Sequence, residues 1–168
     1  MAAVIQIHEM SALAVGTDKT ASTVLYKDAD NATVDANDPL VIPNTGSVYS
    51  YSKTLRAYMQ TAPDGTDVVS NLRWYTDGSN DFGTGVAVAA KNTGTTFNAH
   101  YKTAMTDGTD VFSFTGASPL DGVVTDTGPF DTASEYIGDI IELQMSVAPT
   151  ATQGTLSAET LTLAYDEA

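Results

Sequence analysis

The dominant spacing of apolar residues along this chain is two, the period of a half-buried β-strand. In residues 4–7, Ile5 and Ile7 share one face of a short strand. Residues 22–27 are β-branched and aromatic enough for another, and the apolar run at 40–42 is followed by a Pro43-Asn44-Thr45-Gly46 turn. Residues 48–60 read as one long strand, with Tyr49, Tyr51, Leu55, Ala57 and Met59 on one face and Arg56, Tyr58 and Gln60 on the other. Lys53 alone interrupts the apolar face, and its long stem is expected to snorkel out of the sheet. Residues 68–76 predict a strand with Val68, Leu72 and Trp74 opposite Val69, Arg73 and Tyr75, and residues 86–91 one with Val86, Val88 and Ala90 on a common face. Segments 95–101 and 111–115 are weaker candidates.

Two segments near the end of the chain carry the clearest alternation. Ile137, Ile141, Leu143, Met145 and Val147 alternate with Gly138, Glu142, Gln144 and Ser146, and Leu161, Leu163 and Tyr165 with threonine and alanine. The three-and-four spacing of an amphipathic helix is absent, apart from a candidate helical turn at 8–15. Strands separated by Asp-Gly turns predict an all-β domain, an antiparallel β-sandwich of jelly-roll-like type. The whole chain, 1–168, is read as one domain, with residues 1–20 a candidate N-terminal arm. Residues 116–132 are too long for a tight turn and read as an ordered loop or an interface arm. The heptad of residues 64–70 (Asp-Gly-Thr-Asp-Val-Val-Ser) is echoed at 107–113, which we read as two independent turns entering strands.

Charge changes this picture more than composition does. Twenty-one acidic residues against seven lysines and arginines give a net charge of −14. That field opposes phosphate backbones and anionic membranes, so neither nucleic acid nor membrane is an expected partner. Much of the acidity falls beside Gly, Asn or Pro, as turn chemistry does. With no cysteine there is no disulfide framework, thiolate metal site or cysteine nucleophile. Residues 1–10 lack the basic and long apolar regions of a signal peptide, and no stretch approaches the ~20 apolar residues of a membrane helix.

The stock of chemistry is small, and no catalytic residue or cofactor is expected. His8 and His100 lack metal-ligand spacing, no serine sits in a nucleophile elbow, and no glycine-rich loop ends in Lys-Ser/Thr. Paired carboxylates keep a hydrolase in view by residue type, but turn acids lack the burial that holds a catalytic acid protonated. Asp139 occupies the inward register between Ile137 and Ile141, and a β-bulge near Gly138 is expected to turn it outward. Asp28, Asp30, Asp35 and Asp38, with Asn31 and Asn37, are weak calcium candidates, since Ala32 breaks the EF-hand order and no glycine supplies its bend. Tyr58, Trp74 and Tyr75 are the candidate partner-contact aromatics.

Three segments bear a family likeness. Ser50-Tyr51-Ser52-Lys53-Thr54-Leu55-Arg56, Val69-Ser70-Asn71-Leu72-Arg73-Trp74-Tyr75-Thr76-Asp77-Gly78 and Gly83-Thr84-Gly85-Val86 resemble a pattern in small β-sandwich structural proteins of tailed-bacteriophage virions. The resemblance covers about a quarter of the chain. It implies a non-enzymatic decoration or cement protein, made in the host cytoplasm and carried in the virion. The implied partners are the major capsid protein or other virion proteins, with homo-oligomerisation at the site. The alternative expectation is a carbohydrate- or receptor-binding module of a tail or fibre.

Overall fold

A computed structural model describes residues 1–31, 33 and 37–168. Among these residues, ten strands form two antiparallel sheets: β1 (Val4–Ala12), β2 (Val15–Asp18), β3 (Val48–Tyr49), β4 (Lys53–Thr61), β5 (Val69–Tyr75), β6 (Val86–Asn92), β7 (Thr109–Asp110), β8 (Leu120–Asp121), β9 (Glu135–Val147) and β10 (Thr162–Glu167). The larger sheet has the order β2-β1-β4-β9-β6-β7, with β3 also on β9, and the smaller has the order β10-β5-β8. The chain is therefore an all-β, antiparallel sandwich. Its seven-plus-three division of strands does not by itself identify a jelly roll.

The core lies between the sheets in two parts. Ala57 and Met59 from β4 and Ile137 from β9 meet Val69 and Leu72 from β5 and Phe130. Leu55, Val88, Leu143 and Met145 of the larger sheet meet Trp74 and Phe112. The three short strands of the smaller sheet cover only part of the larger one. Elsewhere its inner face meets irregular segments that bring Val24, Tyr26, Leu40, Ile42 and Phe82 against it.

The alternation of period two places β6, β9 and β10 as expected. Val86, Val88 and Ala90 are buried, as are Ile137, Ile141, Leu143, Met145 and Val147. Leu163 and Tyr165 pack on the core. Other expectations are corrected. Residues 8–15 are not a helical turn, nor are residues 1–20 an arm: β1 and β2 form a hairpin in the larger sheet. Segment 22–27 forms no strand, 95–101 is a loop, and Val111–Ser113 is a 3-10 turn.

The long strand predicted over 48–60 is broken at 50–52, although both halves pair with β9. At the break, Ser50 Oγ accepts from the Met145 amide at 3.1 Å and Ser52 Oγ from the Tyr101 amide at 3.1 Å, both partners distant in sequence. In β5 the face assignment of Val68 and Val69 is reversed. Asn71 has φ 55°, and the β10 pairing shifts register between Ala164 and Asp166, so Val69 becomes fully buried beside Leu72.

Residues 116–132 pack along the small sheet and contribute its strand β8. Val69 and Phe130 exchange two backbone hydrogen bonds of 2.8 Å, the Gly122 amide donates to the Leu72 carbonyl at 2.9 Å, and Phe130 is buried. The echoed heptads lead to different places: the first enters β5 in the small sheet, while the second spans β7 and the 3-10 turn. They are separate turns and not copies of one hairpin.

Candidate functional site

Seven charged residues besides histidine are buried among those described, namely Glu9, Lys19, Lys27, Lys53, Arg56, Asp139 and Glu142. Charges are rarely buried unless paired, so each marks a network. Lys53 does not snorkel. Its Nζ donates to Glu9 Oε1 at 2.8 Å and to the Asn31 carbonyl at 2.7 Å. Glu9 and Lys53 share the core side because Glu9 pairs with Leu55 and Lys53 with Leu143. Lys19 Nζ stands 3.5 Å from Glu9 Oε2, and Lys27 Nζ donates to Asn31 Oδ1 at 3.1 Å. Burial, with the Glu9 charge added, pushes the Tyr26 phenol up.

Asp139 lies on the bulge that the sequence predicts, but the bulge turns it into protein and not toward solvent. Three residues of β4, Leu55 to Ala57, oppose five of β9, Ile137 to Ile141. Gly138 has φ 65°, and an added Cβ would lie 2.8 Å from the Gly122 carbonyl oxygen. The Asp139 carboxylate accepts from Asn92 Nδ2, the Thr125 amide and the Asp126 amide, each at 2.9 Å. Arg56 Nε donates to the Gly138 carbonyl at 2.8 Å and its NH2 group to Asp126 at 3.2 Å. This set ties β4, β9 and the 121–126 turn together.

Glu142 and Gln144 point away from the core and hold residues 98–105 against the outer face of the larger sheet. Gln144 Nε2 donates to the Ser50 and Thr103 carbonyls at 3.0 and 2.9 Å, while its Oε1 accepts from the Met105 amide at 2.7 Å. Burial, with hydrogen bonding and charge from Glu142, pushes the Tyr101 phenol up to about 12.

The candidate residues of the sequence are dispersed. Asp28 pairs with Lys102, and Asp30 Oδ1 lies 2.6 Å from His100 Nδ1. Asp38 takes φ 53°, and its carbonyl accepts from the Asp28 amide. Asp35 lies outside the described residues. Among those described, no three His, Asp or Glu side chains gather where they could hold a metal ion.

The three aromatics do not form one platform. Trp74 is 1% exposed and belongs to the core, which corrects its assignment as a partner contact. Tyr58 stacks on His8 at 4.5 Å and meets Tyr136 edge-on at 5.1 Å, on the opposite side of the sheet. Tyr75 is half-buried and lies near Gly116. Burial lowers the His8 imidazole below its usual range, and the Asp18 charge only partly offsets it.

A concavity of about 590 Å³ lies where the small sheet leaves the larger one uncovered. Ile7, Leu55, Val88, Leu143, Met145 and Phe112 form its floor and walls, and segments 19–26 and 155–161 form its rims. The two tyrosines and single tryptophan singled out by sequence do not line it; most of its apolar wall is visible in sequence only as ordinary core pattern. The buried Glu9 and Lys53 did carry a signal, as charges in apolar register.

Comparisons with protein-family models, with curated proteins and with solved structures find no match to this chain.

Proposed function

We propose that the chain is a non-enzymatic structural component of a tailed-bacteriophage particle, a decoration or cement protein that coats or stabilises the head as a homo-oligomer. The observation that carries this reading is the β1–β2 hairpin. It supplies the edge strand of the larger sheet, and at its tip Leu13 and Val15 are 52% and 58% exposed. A sheet edge with apolar residues at its tip suits packing against a neighbouring subunit. The resemblance in residues 50–56, 69–78 and 83–86 supports the same reading, and these segments contribute β4, β5 and the approach to β6. A net charge of −14 suits an outer position, away from packaged DNA. The alternative of a sugar- or receptor-binding platform loses Trp74 to the core.

Quantitative mass spectrometry of purified particles tests the proposal, with copy numbers in the hundreds expected. The double substitution Leu13→Asp/Val15→Asp is expected to leave the melting temperature within a few degrees while lowering particle occupancy at least tenfold. Absence of the chain from particles would refute the structural role, and undiminished occupancy of the variant would refute the hairpin as the contact.

A further inference from the structure

The cavity beside the small sheet has the size of a small-molecule site, about 590 Å³. It is several times the roughly 150 Å³ cavity that suffices for benzene. Its walls come from four strands of the larger sheet, through Ile7, Leu55, Val88 and Leu143, closed by Phe82 and Phe112. The two rings meet edge-on at 5.9 Å and fix that end of the wall. These side chains offer a guest contact area and no hydrogen bonds.

The polar groups in the wall are already occupied. Thr76 Oγ1 donates to the Phe114 carbonyl at 3.2 Å and accepts from the Gly78 amide at 3.1 Å. Both rims are anchored. The Lys19 amide donates to the Ile7 carbonyl at 2.7 Å, and Glu159 accepts from the Asp81 amide. The Thr20 hydroxyl at the mouth is taken by the Ile7 amide and Asp18, while Thr23 and Thr160 stand exposed there. A largely apolar interior, in which the Lys19 ammonium already faces Glu9 and the Thr76 hydroxyl is already bonded, favours a hydrocarbon body.

We propose that this cavity binds an uncharged, apolar small molecule, with any single polar end directed to the hydroxyl rim. The site is independent of the hairpin contact and requires no partner chain.

Fluorescence titration of the folded protein with 1-aminoanthracene, a neutral apolar probe, tests this. Saturable binding at one site per chain is expected, with displacement by 1-decanol. Val88→Phe fills the cavity from the sheet, and Ala21→Trp obstructs it from an exposed rim position where folding is not at stake. Each is expected to weaken the probe at least tenfold, with circular dichroism unchanged for Ala21→Trp. Should Val88→Phe fail to fold, Ala21→Trp decides. Absence of saturable binding, or wild-type affinity in the folded variants, overturns the site. Equal or tighter binding of anionic 1-anilinonaphthalene-8-sulfonate at the same site overturns the uncharged class.

Discussion

At the scale of single residues, the buried charges decide more than their number suggests. Lys53 holds Glu9 at 2.8 Å with both side chains almost wholly buried. Removing one partner strands the other in a low-dielectric setting, whereas replacing both removes the problem. Lys53→Met is expected to destabilise the fold by about 3 kcal/mol. The double variant Glu9→Leu/Lys53→Met should lose less than the sum of the singles, as read in a urea double-mutant cycle. His8 makes a separate prediction. Its folded-state pKa is depressed by burial, so its contribution to stability is present above the unfolded value of about 6.5 and is lost as pH falls through the lower folded value. The melting temperature should therefore drop between pH 7.5 and 5.5, where most carboxylates stay ionised, and His8→Phe should flatten that slope. Neither effect follows from composition; both follow from where the sheet places the side chain.

At the scale of elements, strand identity came largely from periodicity, while strand interruption came from hydrogen bonding. The break at 50–52 falls at Ser50 and Ser52, whose hydroxyls bond to other segments, and the bulges in β5 and β9 fall at Asn71 and Gly138, which take positive φ. Gly138 combines a left-handed φ of 65° with close approach to the Gly122 carbonyl, while Gly46 has a φ of 70° and no atom within 4 Å of an added Cβ. The pair separates two costs. Gly46→Ala should lose about 1 kcal/mol from backbone conformation alone. Gly138→Val should lose well over 2 kcal/mol, because backbone must also move. Chemical denaturation of the two variants checks this, and equal losses would show that the close approach carries no weight. The strand pattern around each glycine is legible in sequence, but the contact that makes Gly138 costly to replace comes from a turn sixteen residues earlier.

At the scale of the whole molecule, unequal sheets set what the surface can offer. A seven-stranded sheet faces three short strands, and the remainder of its inner face is covered by irregular segments that leave a cavity. The same large sheet ends in the β1–β2 hairpin with its exposed apolar tip. Assembly and small-molecule binding are thus proposed for different parts of one scaffold, and the experiments above can separate them. The acidity is distributed around this scaffold, with Asp28 and Asp30 spent on Lys102 and His100 and Asp166 on Arg73 and Asn71. It acts as a solvated field more than as a site.

By itself the sequence determined the fold class, the faces of β6, β9 and β10, and the presence of a bulge at Gly138. These depend on local periodicity and on backbone freedom, which a single segment carries within itself. Only the tertiary structure decided that Trp74 is core, that Lys53 pairs with Glu9, that Asp139 clamps a turn, and that a cavity opens beside the small sheet. Each of these depends on which distant segments meet, and period two specifies a strand's face without specifying what that face will touch.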